Sequence, residues 1–266
     1  MKRNILPQLT HKFLQRTDLA IIYLFVIGLF IADISQCLVL ITRYSCQNNT
    51  QIVLDDKILQ NNVWNKNSGI SFQCVFAPIF NTNVIWVWDG MNAEDHSVKS
   101  TANLLYGFLP WGLYSTTPKL PIAMNALHTL TSHYDFFSSG DGEYNTAFRI
   151  YLTNSKTSHP KHINSLVEIW LTSNEKPNGQ HVGDMNIDDQ EYELWTGSEQ
   201  NGWPRIILKA KKFSTSGTLH IEQFLATLLK RGRISPDLYV ACIRFGDEII
   251  SGKGLTIVRR FDVDVR

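Results

Sequence analysis

The sequence predicts an all-β fold, an antiparallel β-sandwich or jelly roll with one packed α-helix. The main observation is that short apolar and β-branched runs recur along the chain between Gly, Pro, Asn and Asp turn signals, a spacing typical of sandwiches. No internal repeat or linker divides them. The predicted strands cover residues 84–88, 147–152, 166–171, 192–195, 205–209, 238–245 and 255–265.

The helix is predicted by a change of periodicity near residue 221. Apolar residues there follow the i, i+3, i+4, i+7 rule for a single helical face. They are Ile221, Phe224, Leu225, Leu228 and Leu229. Ser216 and Thr218 are candidate N-terminal caps, and Gly232 is expected to end the helix.

Composition limits the possible partners. The chain has 266 residues, enough for one large domain, and its formal net charge is +1. Such a balance gives no reason to expect nucleic acid or an anionic membrane surface as a partner. We expect a monomer.

The N-terminal segment resembles a secretory signal. Basic residues precede an uncharged run over residues 19–32, which Asp33 ends. Fourteen residues suit a signal peptide better than a membrane span of roughly 20. We therefore expect residues 1–36 to be a signal peptide and the protein to be secreted. The alternative is an uncleaved signal anchor facing outside, and only then is a membrane a partner.

The four cysteines agree with an oxidising compartment. Cys46 and Cys74 lie 28 residues apart and could form one disulfide. Cys242 lies in an apolar strand pattern and is most simply a buried thiol. No clustered Cys and His residues indicate a metal site, and no cofactor is predicted.

Several local motifs resemble glycoside hydrolase family 12, in the same order and at similar spacing. The matching segments are Asn61-Asn62-Val63-Trp64, Trp86-Val87-Trp88, Val98-Lys99-Ser100, Ile169-Trp170-Leu171, Glu193-Leu194-Trp195-Thr196-Gly197 and Phe245-Gly246-Asp247-Glu248 with Gly252 and Gly254. The resemblance implies a family 12-like domain over residues 44–266 with a concave cleft. It also implies a Cys46–Cys74 disulfide and β-1,4-glucan or xyloglucan as the ligand.

The resemblance places Glu248 at the family's acid/base position. Retaining glycosidases need a second carboxylate about 5 to 5.5 Å from the first. In the ungapped match, the position of that nucleophile holds Leu166, and the family's neighbouring Asp is Arg149. An alkyl side chain cannot form a glycosyl-enzyme ester, so the family's mechanism is expected to be lost.

Glu168 is the candidate second carboxylate. Two positions after Leu166, it shares a strand face with Leu166 and Trp170. A simple perpendicular geometry places it roughly 8.6 Å from Glu248, within the range of inverting enzymes. The other interpretation, which we favour, is an ion pair between Glu168 and Arg149.

The expected sugar-binding residues are Asn62, Trp64 and Trp170, with both indoles exposed along the groove beside Glu248. Asn49 stands where the family has another cleft Trp. The leading hypothesis is a glucan-binding protein whose hydrolysis is weak or lost. The rivals are an active endo-β-1,4-glucanase using Glu248 and Glu168, and a non-catalytic decoy or interaction protein.

Overall fold

A computed structural model describes residues 42–64, 70–78, 83–90, 96–157, 159–199 and 202–266. Residues 43–266 form one compact unit. The predicted signal segment, residues 1–36, lies outside the described residues. Within the described ranges, none of the helices has the length and apolar character needed to cross a lipid bilayer.

The described part of the chain contains sixteen strands and one α-helix, so the predicted fold class is confirmed. The elements are β1 (Thr42–Ser45), β2 (Thr50–Val53), β3 (Ile58–Val63), β4 (Ile70–Pro78), β5 (Val84–Gly90), β6 (Ser100–Gly107), β7 (Ile122–Ala123), β8 (Leu130–Gly140), β9 (Tyr144–Thr153), β10 (Ile163–Ser173), β11 (Gln180–Ile187), β12 (Gln190–Ser198), β13 (Pro204–Ala210), β14 (Ser216–His220), α1 (Ile221–Lys230), β15 (Tyr239–Ile249) and β16 (Lys253–Val265). Two short 3₁₀ helices cover Met124–Ala126 and Pro160–His162.

The strands form two sheets packed face to face. One sheet has six strands in the order β1-β4-β5-β16-β8-β14. The other has ten strands, in the order β11-β12-β13-β10-β9-β15-β6-β3-β2, with β7 paired to β15. Around the centre of the larger sheet, β10 pairs with β9, β12 with β13, and β15 with β9 in antiparallel fashion, whereas β10 and β13 run parallel. This parallel pair brings β13 directly beside the strand that carries Glu168.

The core between the sheets is aromatic at its centre. The rings of Phe148 and Phe245 lie 4.8 Å apart, and Phe261 of the other sheet stacks on Phe245 at 5.5 Å. Asp247 is fully buried beside them and accepts hydrogen bonds from Trp86 and from two threonines. Since Asp247 belongs to the ten-stranded sheet and Trp86 to the other, their bond ties the two layers together.

The helix begins and ends as its apolar stripe predicts, but not with the expected caps. Ser216 and Thr218 lie within β14, where the hydroxyl of Thr218 bonds His133 of β8 instead of the helix. His220 occupies the N-cap without a side-chain bond. Gly232, at a φ of 65°, follows the last turn as predicted. The caps were wrong because β14 continues directly into the helix.

The cysteine predictions are confirmed. Cys46 and Cys74 form a disulfide, which joins the segment before β2 to β4. Cys242 is a buried free thiol on β15, and burial raises its pKa to about 12. The thiol is therefore protonated and inert at neutral pH.

Candidate functional site

A groove of about 1220 Å³ runs across the outer face of the ten-stranded sheet. Because side chains alternate along a strand, each central strand sends every second residue into this groove and the others into the core. On β10, for example, Val167 and Ile169 pack in the core, whereas Leu166 and Trp170 line the groove. The groove therefore collects side chains from β3, β6, β9, β10, β13 and β15.

Glu248 lines the groove from β15, next to Asp247, which faces the core. Its Oε1 accepts a hydrogen bond from Nε of Arg149 at 3.1 Å, and its Oε2 accepts one from Nη2 of Arg205 at 2.8 Å. Asn145 adds a third bond at 3.3 Å. Burial raises the pKa of the Glu248 carboxyl, but the two guanidinium groups lower it by more, so that it ends well below its ordinary value. At neutral pH Glu248 is a carboxylate with no proton to donate.

Glu168 lies on the same face and is completely buried. It stands opposite Arg149 in the β9–β10 ladder, and the expected ion pair is present with a separation of 3.8 Å. The shorter contacts come from Arg205, whose Nε and Nη2 lie 2.5 and 2.9 Å from the two carboxyl oxygens. The indole of Trp170 donates a further bond at 2.7 Å.

Arg205 therefore bridges the two candidate carboxylates. Its Nη2 donates to Oε2 of Glu168 at 2.9 Å and to Oε2 of Glu248 at 2.8 Å. The two oxygens thus lie less than about 6 Å apart, below the separation of about 6.5 to 9.5 Å in inverting glycosidases. The perpendicular estimate of 8.6 Å was wrong because both side chains bend toward one guanidinium. That guanidinium, and not open space, fills the gap between them.

Leu166 is buried in an apolar cluster on the groove side of the sheet, with Tyr151 and Cys242 among its neighbours. Its direct ladder partners are Tyr151 on β9 and Arg205 on β13. A carboxylate at this position would enter the groove beside Arg205, but the alkyl group that is present offers no polar atom.

The three predicted sugar-binding residues are not equivalent. Asn62 and Trp64 line the groove from the end of β3, and Trp64 is 51% exposed, as expected. Trp170 is only 2% exposed, so the expectation of an accessible indole was wrong. Its ring packs against Trp195 and Ile207 of the neighbouring strands, and its N–H is held by Glu168.

Two further tryptophans, which the sequence analysis did not single out, also line the groove. Trp111 and Trp203 stack on each other, with centroids 6.2 Å apart and rings 13° from parallel. Trp111 is 46% exposed and also meets Tyr151 edge-on at 5.4 Å. The pair is a broad apolar surface of the kind that binds sugar faces. Because 92 residues separate the two, no local motif could reveal it.

Two more carboxyl groups lie in the groove, and these hold protons more readily. Burial raises the pKa of Glu175 to about 7, against the hydrogen bond from Asn145 at 2.6 Å. Burial also raises the pKa of Glu199 to about 7, against the charge of Arg205 at 3.1 Å. Neither belongs to a motif quoted above. Their raised pKa values arise from burial in the folded protein, which the local sequence does not reveal.

Comparison with known proteins identifies the family. The model of glycosyl hydrolase family 12 matches residues 56–266, most of the chain. This chain belongs to glycosyl hydrolase family 12. Endoglucanase S of Pectobacterium parmentieri is 25% identical to it over 215 residues, which cover 78% of this chain and 81% of that protein.

Solved structures of family 12 enzymes share the fold. A xyloglucanase from Bacillus licheniformis superposes with a TM-score of 0.78 at 21% identity, covering 84% of this chain and all of that one. Endoglucanase cel12A from Rhodothermus marinus gives 0.73 at 21% identity, with coverages of 84% and 99%. The xyloglucanase domain of NopAA, an effector from Sinorhizobium fredii in complex with cellobiose, gives 0.70 at 18%, with the same coverages.

Proposed function

We propose that this family 12 protein is secreted and recognises β-1,4-glucan or xyloglucan, with its hydrolysis weak or lost. The observation that carries the proposal is the position of Arg205 between Glu248 and Glu168. A glycosidase needs one carboxyl that can donate a proton and one carboxylate that is open to the sugar or to water. Here Glu248 is held ionised and Glu168 has no exposed surface.

The substitution at Leu166 supports the same conclusion. The resemblance assigns the nucleophile to this position, and the structure has a buried alkyl chain there. Arg149, at the position that the resemblance assigns to the family's Asp, donates hydrogen bonds to Glu248, to Asn145 and to the carbonyl of Gly246. Both departures remove the charge arrangement that retaining catalysis requires.

Glycan recognition is supported by the surfaces that remain. Trp64 at one wall and the Trp111–Trp203 pair at another expose aromatic area to the groove. The polar side chain of Asn62 also lines the groove, beside Trp64. Aromatic surfaces beside a polar side chain suit a sugar, which combines apolar ring faces with hydroxyl groups.

An active endo-β-1,4-glucanase is the second candidate, and one observation favours it. The short distance between the oxygens of Glu168 and Glu248 is compatible with the roughly 5 to 5.5 Å of retaining enzymes. For these groups to act, Arg205 would have to leave the gap, although burial and two carboxylates hold it there.

The test combines binding and turnover on purified protein. Affinity for soluble β-glucan and xyloglucan would be measured by titration calorimetry, and hydrolysis by release of reducing ends. We expect binding of at least one polysaccharide with turnover close to the uncatalysed level. Rapid release of reducing ends would overturn the proposed loss of activity, and absence of binding to both would overturn the proposed ligand.

A further inference from the structure

The groove contains a third arginine, Arg244, whose charge is not compensated. It lies on β15 and is 5% exposed. Its three hydrogen bonds go to neutral acceptors: Oδ1 of Asn103 at 3.1 Å, the hydroxyl of Tyr151 at 3.2 Å and Oγ1 of Thr101 at 2.8 Å. Among the described residues, no carboxylate lies within ion-pair distance of Arg244, in contrast to Arg149.

The surroundings of Arg244 further raise the free energy of its buried positive charge. Arg244 stands directly opposite Arg149 in the β9–β15 ladder, so that two guanidinium groups are cross-strand neighbours. Like charges in that position repel each other. The carboxylates of Glu168 and Glu248 are already bound to Arg149 and Arg205. A buried cation without a counterion is expensive to maintain, and an anionic ligand would relieve that cost.

Arg244 lines the groove and has hydrogen-bonding capacity that the protein does not use. A guanidinium has five N–H donors in a planar fork, and three bonds to neutral acceptors leave two donors. Arg244 is one of the residues that line the groove. A fork of this kind matches the two oxygens of a carboxylate better than a single hydroxyl.

An aromatic surface lies next to the charge. The hydroxyl of Tyr151 accepts from Arg244, and the ring of Tyr151 meets exposed Trp111, which stacks on Trp203. A sugar lying on these indoles would therefore carry its ring substituents close to the guanidinium. Charge and stacking surface together define a place for a sugar that bears an acid group.

We propose that Arg244 forms a subsite for a carboxylated sugar, so that the preferred ligand of the groove is a β-linked glycan containing uronic acid. This inference rests on the proposed function, since it assumes that a glycan occupies the groove. It adds a ligand class that neither the endoglucanase nor the xyloglucanase names of the relatives suggest. The Arg244 guanidinium pairs with the sugar carboxylate, while Trp111 and Trp203 hold the sugar ring.

The experiment compares two ligands of equal length and linkage. Cellohexaose is neutral, and its oxidised form, a β-1,4-linked glucuronate hexamer, carries a carboxylate on each ring. Affinities for both are measured by titration calorimetry at pH 7 and low salt on the unmodified protein. We expect the glucuronate hexamer to bind at least about tenfold more tightly, with an advantage that shrinks as salt is added.

Variants then assign the preference to one residue. Arg244→Gln should reduce affinity for the glucuronate hexamer about tenfold and affect cellohexaose binding much less, while Arg244→Lys should restore part of the loss. Arg260→Gln, which changes an exposed arginine on β16, should alter neither affinity. Circular dichroism checks that each variant is folded. The comparison of the two ligands on the unmodified protein does not depend on any variant.

The outcomes separate this inference from the proposed function. Equal affinity for both hexamers, or an equal loss for both in Arg244→Gln, would overturn the carboxylate subsite but leave glucan recognition standing. Binding of the glucuronate hexamer alone would support the subsite and overturn neutral glucan as the ligand. Binding of neither hexamer would overturn the carboxylate subsite, and the proposed function would fall as well only if soluble β-glucan and xyloglucan also failed to bind.

Discussion

Nη2 of Arg205 lies 2.8 Å from Oε2 of Glu248, so the carboxyl group that the resemblance assigns to acid/base catalysis is neutralised before any ligand arrives. The same nitrogen lies 2.9 Å from Oε2 of the other candidate carboxylate, Glu168. The site thus retains carboxyl groups at a plausible spacing, but they act as counterions for arginine. The following predictions test this arrangement.

Placing a carboxylate at position 166 should raise hydrolysis. Leu166→Glu combined with Arg149→Asp is expected to raise β-glucan hydrolysis at least about tenfold over the unmodified protein, because it supplies a nucleophile and removes a competing cation. Release of reducing ends measures the effect. Leu166→Gln with Arg149→Asp is the matched control and should give no gain. Robust turnover by the unmodified protein with retained configuration would mean that the nucleophile is elsewhere.

Glu168 is expected to contribute to the stability of the fold and not to turnover. Glu168→Gln removes the charge that compensates two buried guanidinium groups and should lower the free energy of unfolding by about 3 kcal/mol. Urea unfolding measures this change. Glu191→Gln, at an exposed site paired with Lys211, should change stability by less than about 1 kcal/mol. Turnover that vanishes in Glu168→Gln would instead show that Glu168 acts in catalysis, as a nucleophile if the configuration is retained or as a base if it is inverted.

The buried carboxyl groups predict the pH dependence of stability. In Glu175 and Glu199 the folded-state pKa is raised to about 7 from an ordinary value of 4.5. Between these values the folded state holds protons that the unfolded state has lost, so stability should fall as the pH rises from about 4.5 to 7. Glu248 has a lowered pKa, and its contribution is lost only below pH 4.5.

Urea midpoints measured from pH 5 to 8 would check this sign. Glu175→Gln should flatten the decline and raise stability at pH 8, since an amide oxygen can still accept the bond from Asn145. Glu193→Gln, a change on β12 that keeps the acceptor for the indole of Trp195, is the control and should leave the slope unchanged. A steeper decline in Glu175→Gln would contradict the assignment.

The two candidate stacking residues should behave differently. Trp64→Ala is expected to weaken binding of cellohexaose or of a xyloglucan oligosaccharide by roughly 1 kcal/mol or more, because it removes exposed aromatic area from the groove. Trp170→Phe should lower stability instead, since its buried indole bonds Glu168. Calorimetric affinity and thermal unfolding, measured on both variants, separate the two effects. Unchanged binding in Trp64→Ala would remove this residue from the site.

The parts of the fold that could be predicted are those that depend on local sequence patterns. Alternating strands, the stripe from Ile221 to Leu229, and the order of the motifs gave the sandwich, the helix and the place of Glu248. Strand alternation also placed Glu168 on the correct face. These features depend on neighbours within a few positions along the chain, and a single sequence contains them in full.

The parts that were missed depend on contacts between distant segments. Arg205 reaches Glu168 only because β13 runs parallel to β10, and this pairing has no local signature. Trp170 was placed on the correct face, but its burial is decided by Trp195 and Ile207, which other strands supply. The same holds for the stacking of Trp111 on Trp203.

The neighbours Asp247 and Glu248 face opposite sides of one strand, the former tying the two layers and the latter lining the groove. A mutation at a groove position therefore leaves the contacts that hold the layers together in place. Over evolutionary time such a scaffold can exchange groove residues and still fold. Members of a family can then diverge in sequence while their architecture stays recognisable, as the low identities and high structural similarity of this chain to its relatives illustrate.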